Sequence, residues 1–496
     1  MFNLSKMGDM KTVFFIQKQL IEHENAKFLA VRKVTQDNLG KRTAGVDGIY
    51  LLTSDERMNL VKNKKIDQHS DKILRVIISK PNGFVRDRAK QCLVKCALEP
   101  QYKAFFEPNS YGFRLGRSVN DSKKDALIIL TILSYLKSWK LSFLLKEQIS
   151  AWLVAGILSN FQGNTTEIIP ESGTPQGGII SPLLVNIALH GMEKLISKRG
   201  VYIVRYADDF LVLCNEENVL LKLDKKKKYF LVYMRLELPK EKTKITYTAY
   251  LFPEENSGID FLGFNFVNYK VGIHKSAKDS HGNLTGWMSR NQPSIKSINK
   301  HLDNIKNITK MLSGLSQKVL ISKLTPVVIG GRLDILQYAT RQKLSAFAAC
   351  IHFYLLKKWS QKKNWSGIGG SKHWIQTNSA NWVFGLIEED KITKLNRHDQ
   401  TNIIVSTKVY QDSSPYDGRV IYWAKRLSSN NKYGQLLRTL LKIKGPKCNM
   451  CKIYFNDSDR IEIDHITPRK QGETSHWANL RFLHDHCHDT HHSKKE

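Results

Sequence analysis

The stretch RYADDFLVLCN, residues 205–215, decides how this chain is read. Two adjacent carboxylates, Asp208 and Asp209, stand between two apolar runs, VYIV at 201–204 and FLVLC at 210–214. β-Branched and aromatic residues on both sides of Ala207 predict a hairpin with its acids at the turn. Aspartate is also a common turn former, because it bonds its own backbone and tolerates unusual angles. The pair alone therefore does not separate a structural turn from a metal-binding one. The surrounding sequence has to do that.

At 496 residues, with 41% hydrophobic and 25% charged side chains, the chain suits two to four globular domains with real cores. Lysine and arginine total 77 against 45 acidic residues, a formal net charge of +32. That excess recurs in every region and points to phosphate backbones as partners more than to small acidic ligands. Of the seven cysteines, Cys448, Cys451 and Cys487 crowd into the last fifty residues, which suits a metal site in a reducing compartment better than a disulfide framework. The longest apolar stretch, ALIILTILSYL at 126–136, is too short to cross a bilayer. The N-terminus has neither the apolar core of a signal peptide nor a transit peptide's Arg/Ser bias, so no membrane association is expected. Abundant Lys, Asn and Ile fit AT-rich coding, as in an organelle genome or a low-GC bacterium.

Turn clusters at KPNG (80–83) and EPNSYGF (107–113), and a loop from Asp412 to Gly418 built around Pro415, punctuate the chain. Ile295, Ile298, Leu302, Ile305, Ile308 and Leu312 recur at helical spacing behind Pro293, which predicts an amphipathic helix with Lys296, Lys300 and Lys310 on its other face. That lysine face, like the KKKK run at 225–228, reads equally as a solvated surface or an RNA-facing one.

Motif order narrows the reading. The chain shows AVRKVTQDNLGKRTAGVDG (30–48), ISKPNGFVRDRAKQ (78–91), ALEPQYKAFFEPNSYGFRLGRS (97–118), GTPQGGIISPLLVNIALHGME (173–193), the YADD turn, LPKEKTKI (238–245) and GIDFLGFNF (258–266). In this order it resembles the group II intron-encoded proteins, the reverse transcriptase/maturase type. The resemblance implies an α+β multidomain fold: a right-hand reverse transcriptase with fingers and palm, a helical thumb or maturase domain, and a ββα-metal HNH module. Expected boundaries are 1–100 for the fingers-like region, 101–290 for the palm, 291–395 for the maturase thumb, 396–445 for a basic linker and 446–496 for the HNH module. It implies Asp208 and Asp209 as polymerase metal ligands, and nucleic-acid contacts at Lys80, Arg86, Arg114, Arg117, Gln176, Gly177, Lys242 and Lys244. Nucleotide transfer uses two divalent ions about 3.5–4 Å apart, and hard Mg²⁺ prefers carboxylate oxygens.

The chain departs from that pattern at the active site. Relatives carry a strand with a further Asp between the SYGFR and GTPQGG segments, whereas here no Asp occurs between Asp125 and Asp208. After KPNGFVR, relatives continue with a stretch that contacts the incoming nucleotide, and this chain passes directly to Asp87, Arg88 and Ala89. Nothing in the spacing of Asp121, Asp125 or Glu147 recommends them as a third ligand. IGG at Ile329 to Gly331 stands where relatives commonly carry Arg-Gly-Trp. A degenerate palm that has lost polymerase activity is the expectation. An active reverse transcriptase, or a decaying reading frame without a retained activity, stays open.

The tail reads CNMC (448–451), EIDHITP (462–468) and NLRFLHDHCHDTHH (479–492). Cys448 with Cys451, and His484 with Cys487, form two ligand pairs of the kind that holds a structural Zn²⁺ tetrahedrally. The segment resembles the HNH nucleases. That resemblance implies His465 as general base, Asn479 pinning the loop that orients it, and Asp464 with His488 holding one catalytic divalent ion, Mg²⁺ or another; His491 and His492 are close competitors for the last position. A zinc knuckle that only binds nucleic acid is the alternative. Expected partners are group II intron RNA and target DNA, with a homodimer left open. The expected location is an organelle, chloroplast ahead of mitochondrion, or a bacterial cytoplasm.

Overall fold

The computed structural model describes residues 1–37, 52–62, 66–67, 69–70, 73–75, 85–114, 143–154, 157–161, 164–168, 178–196, 200–214, 216–233, 243–248, 258–272, 284, 286–334, 356, 373–377, 380–388, 391–395, 409, 413–427, 435–455, 459–467 and 476–493. Two compact units emerge: Met1–Pro239 together with Thr407–Glu496, and Lys240–Ser406. The palm span expected at 101–290 therefore crosses a unit boundary, and the C-terminal ninety residues return to the first unit.

The first unit is organised around the helix Val85–Lys103, against which the helices Met10–Glu22 and Glu24–Arg32 pack. Ala89, Leu93, Val94, Ala97 and Leu98 are almost fully buried on it, but so are Asp87, Lys90, Glu99, Gln101 and Lys103. A helix enclosed on all sides has to pair its polar groups internally. Lys90 Nζ donates to Asp67 Oδ1 at 2.6 Å, Gln17 Nε2 donates to Gln101 Oε1 at 2.6 Å, and Lys103 lies 3.4 Å from Glu99. Gln91 Oε1 accepts from the Ile179 amide at 2.8 Å and so fixes the end of the GTPQGGII segment beside the same helix.

Strands β1 (Ile73–Arg75), β2 (Ile157–Phe161) and β3 (Asn164–Ile168) form one sheet, with β1 parallel to β2 and β2–β3 a hairpin. The expected acid-tipped hairpin is β4 (Val201–Tyr206) with β5 (Asp209–Cys214), antiparallel with Tyr206 opposite Asp209. Its inner residues Val201 and Ile203 pack with Met192, Ile196 and Leu223.

In the second unit β6 (Ile259–Phe261), β7 (Phe264–Lys270) and β8 (Trp287–Pro293) form an antiparallel sheet. The helix Ile295–Met311 follows, as the periodicity predicts, capped by the Ser294 side chain, which accepts from Ser297 N at 3.3 Å. Ile305 is its fully buried residue, whereas Ile295 is exposed, so the apolar stripe faces inward only from its middle onward. A second helix runs Gln317–Asp334. Beyond it the wholly helical expectation for the thumb needs correction: β9 (Trp374–Thr377), β10 (Ala380–Glu388) and β11 (Lys391–Lys394) form a three-stranded antiparallel sheet. Trp374 and Phe384 meet edge-to-face at 5.3 Å and join Leu320, Leu324 and Val328 in one core. Aromatic and β-branched residues at these positions favour strand over helix.

The C-terminal module contains the helix Gln435–Lys444, a Cys-rich knuckle, the hairpin β12 (Ile461–His465) with β13 (Leu480–His484), and the helix Asp485–Ser493. Phe455, Phe482, Leu483, Cys448 and Cys487 share its small core. Hairpin followed by helix is the ββα arrangement expected for this segment.

Candidate functional site

The turn between β4 and β5 is held from below. Ala207 adopts φ 54° and Asp208 does not share the positive φ, so the two-residue turn has the II′ pattern, with alanine where glycine is usual. Arg205, 3% exposed, donates through Nη1 to the Ala207 carbonyl at 2.9 Å and through Nη2 to Ser110 Oγ at 2.7 Å. Burial draws its guanidinium down to about 10, with Glu107 and Glu193 opposing. The SYGF segment meets β4 through a single parallel β-bridge at Ser110, Arg205 N donating to Asn109 O and Tyr111 N to Arg205 O. Gly112 approaches so closely that a Cβ there would lie 2.3 Å from Ala207 N. Asn186 Nδ2 donates to the Gly112 carbonyl at 2.7 Å.

This frame presents Asp208 half-buried and Asp209 exposed. Among the described residues, three or more ligating side chains converge at two places, both in the C-terminal module, and neither Asp208, Asp209 nor Glu147 belongs to them. Asp121 and Asp125 lie outside the described residues.

Of the expected nucleic-acid contacts, Arg86 and Lys244 are exposed, while Lys80, Arg117, Gln176, Gly177 and Lys242 lie outside the described residues. Arg114 is a correction. It is 3% exposed, and its Nη1 donates to the Glu107 and Ser110 carbonyls at 2.7 Å each, so it ties the SYGF segment together instead of facing a phosphate.

In the C-terminal module Cys448, Cys451, His484 and Cys487 bring one ligand atom each within 4.8 Å of one another. Tetrahedral thiolate ligation of zinc places sulfurs about 3.8 Å apart, a separation that falls inside this limit. The donor set fits a structural metal ion. Burial resists ionisation of Cys448, but the amides of Cys451, His484 and Met450 outweigh it and bring the thiol down to about 6. Burial and the neighbouring cysteines push Cys487 up to about 12. His484 Nδ1 lies 3.3 Å from Cys451 Sγ, and its Nε2 faces Asp459 Oδ2 at 3.4 Å. A carboxylate behind a ligand histidine fixes which ring nitrogen is offered to the metal.

The second convergence is Asp464, His491 and His492. Asp464 is the penultimate residue of β12, next to His465, and the helix Asp485–Ser493 carries both histidines over it. His492 Nε2 is 3.3 Å from Asp464 Oδ1. Burial opposes the charge on Asp464, but the Arg481 guanidinium and His492 hold its carboxyl below the usual range. His488, the expected helix ligand, is not part of this convergence: the atoms that gather with Asp464 come from His491 and His492, three and four residues further along, nearly one helical turn. His488 packs its ring on His492 at 4.5 Å. Asn479 Oδ1 accepts from Thr467 N at 2.8 Å and its Nδ2 donates to Thr467 O at 3.0 Å, a clasp on the chain just beyond His465. Sequence reasoning missed Arg481, Asp459 and Arg205. The first two carry no spacing signal, and an arginine beside YADD reads as one more surface cation.

Residues 1–63 match the N-terminal domain of reverse transcriptase, 63–266 the reverse transcriptase (RNA-dependent DNA polymerase) family, and 448–494 the HNH endonuclease family. Maturase-like protein 1 of Euglena gracilis is 26% identical over 376 residues, covering 70% of this chain and 75% of that protein. Group II intron-encoded protein LtrA of Lactococcus lactis subsp. cremoris is 32% identical over 131 residues, 22% of this chain and 21% of its own length. Among solved structures, a chain of the partial Cas6-RT-Cas1--Cas2 complex aligns with 22% identity and a TM-score of 0.26, covering 46% of this chain and 43% of that one. The fold and the family matches define the class, a reverse transcriptase-type protein with an appended HNH region. Within it, the chain is similar over 70% of its length to a maturase-like protein and over a shorter stretch to a group II intron-encoded protein.

Proposed function

We propose that this protein binds its group II intron RNA as a splicing cofactor and nicks DNA through its C-terminal module, without polymerising DNA. The observation that carries the reading is the contrast between two acidic sites. Asp464 has two imidazoles within ligand distance and His465 beside it, whereas Asp208 and Asp209 gather no third ligand among the described residues.

In this reading Cys448, Cys451, His484 and Cys487 hold Zn²⁺ and staple the knuckle to the hairpin and the last helix. Asp464, His491 and His492 hold a divalent ion, which supplies charge neutralisation at the scissile phosphate. His465 takes the proton from the attacking water, a role suited to an imidazole near neutral pH. The Asn479 clasp on Thr467 sets the direction of the chain leaving His465. RNA binding uses Lys and Arg on phosphates and 2′-hydroxyls and does not need the polymerase carboxylates. The net charge of +32 supports it, as do Arg86 and Lys244 at the surface. The five-domain partition, with fingers to 100, palm to 290, thumb to 395, linker to 445 and nuclease to 496, remains our working division. No helix of the described residues is long and apolar enough to cross a membrane. The Euglena relatives support an organelle-encoded origin.

The experiment uses purified full-length protein loaded with zinc. A labelled duplex and Mg²⁺ or Mn²⁺ should yield nicked product, a primed template should yield no extension, and the host intron should bind tightly with strong salt dependence. Extension products would overturn the polymerase half of the reading; absence of nicking would overturn the nuclease half.

A further inference from the structure

Arg481 faces Asp464 directly across the β12–β13 hairpin, in register. Its Nε and Nη2 donate to the same carboxylate oxygen, Asp464 Oδ2, at 2.9 and 2.6 Å. Nη2 also lies 2.8 Å from His491 Nε2. A guanidinium has donors and no acceptor, so in this contact His491 Nε2 is the accepting, unprotonated nitrogen. That lone pair, like those of Oδ2, is one a metal ion would use. Two of the three groups that converge here are thus engaged by one cation of the chain itself, and the pair is well shielded, with the Asp464 side chain 8% and the Arg481 side chain 18% exposed.

Charge-assisted bonds this short are strong. A guanidinium and a dication a few ångströms apart repel, more strongly in a shielded site than in water. Arg481 and a divalent ion therefore cannot both make their best contacts with Oδ2 and with His491 Nε2. The geometry points to Arg481 as an internal competitor for the ion of the nuclease site, a residue that sets the divalent-ion concentration at which cleavage begins. This rests on the reading of Asp464, His491 and His492 as that ion's ligands.

Mn²⁺ is the probe, because it favours carboxylate and imidazole and stands lowest in the affinity series, leaving a thiolate-bound zinc in place. Zinc-loaded full-length wild type, Arg481→Gln, Arg481→Lys and Asp464→Asn are titrated with Mn²⁺, and free Mn²⁺ is read by electron paramagnetic resonance. Zinc content per chain checks the fold of each variant. Competition predicts an Mn²⁺ dissociation constant at least ten-fold tighter in Arg481→Gln than in wild type. It predicts an intermediate value in Arg481→Lys, which keeps the charge but loses the fork, and loss of the site in Asp464→Asn. Should Arg481→Gln lose its zinc, Arg481→Lys alone decides: tighter binding than wild type supports competition, and equal or weaker binding overturns it. Equal or weaker binding in zinc-retaining Arg481→Gln, with the site still abolished by Asp464→Asn, overturns competition and leaves the ligand assignment standing. No Asp464-dependent Mn²⁺ binding in any variant overturns the ligand assignment, and the proposal with it.

Discussion

Asn479 and Thr467 exchange two hydrogen bonds, Thr467 N to Asn479 Oδ1 at 2.8 Å and Asn479 Nδ2 to Thr467 O at 3.0 Å. A single side-chain amide thereby satisfies both backbone groups of one residue, two positions beyond His465. The Ile466 amide adds a third bond to the Asn479 carbonyl at 2.8 Å. Asn479→Ala removes the two side-chain bonds and leaves the zinc quartet untouched. We expect the nicking rate to fall by about 10²-fold, the scale of an ångström-sized misplacement in an active site. Zinc content should be unchanged. A rate within two-fold of wild type would show that the clasp does not orient the general base.

Lys103 gives a pH test of the first unit. Burial brings its ammonium down to about 7, with Glu99 pulling it back up. In the unfolded chain it titrates near ~10.4. Between those two values the unfolded chain binds more protons than the folded one, so stability rises with pH, by at most about 1.4 kcal/mol per unit from this group. The gain is complete above the unfolded pKa and absent below the folded one. Denaturation midpoints near neutral and near pH ~9 should therefore diverge more in wild type than in Lys103→Met. Equal divergence in the two proteins would contradict the lowering of the Lys103 pKa by burial.

Gly112→Ala tests the seat of the YADD turn. Its Cβ would stand 2.3 Å from Ala207 N, a backbone atom that cannot give way without moving the hairpin. Overpacking of this kind costs about 1–3 kcal/mol. The melting midpoint should fall while zinc content stays the same, and an unchanged midpoint would place the turn elsewhere.

Arg86 and Arg114 should part company. Arg86→Ala should weaken intron binding modestly and reduce the salt slope by about one, the signature of a single phosphate contact. Arg114→Ala should leave the salt slope unchanged and cost about 2 kcal/mol of stability, because it vacates two buried carbonyl partners. Fluorescence anisotropy across a salt series, with a melting curve beside it, separates the two effects.

Much of this arrangement was legible in the sequence because it is written in local patterns. The β4–β5 hairpin follows from strand-forming residues around two acids, the helix Ile295–Met311 from its isoleucine spacing behind Pro293, and the Cys448–Cys451 and His484–Cys487 pairs from their two-residue gaps. What stayed hidden depends on contacts between segments far apart in the chain. Arg114 and Arg205 look like surface cations until Glu107, Ser110 and Ala207 fold around them. His488, His491 and His492 share one short helix, and only the placement of that helix over β12 brings the last two to Asp464. Arg481 is paired to Asp464 by strand register, which a sequence does not display.

The central claim, that hydrolysis of DNA belongs to the C-terminal module, is tested most directly by metal-dependent nicking with His465→Ala. Zinc-loaded wild type should convert supercoiled plasmid to open circles in Mn²⁺ or Mg²⁺ and not in a chelator. The His465→Ala protein, with zinc retained, should lose that activity by about 10²-fold or more, the usual contribution of a general base. Undiminished nicking by His465→Ala, or none by wild type, would contradict the account.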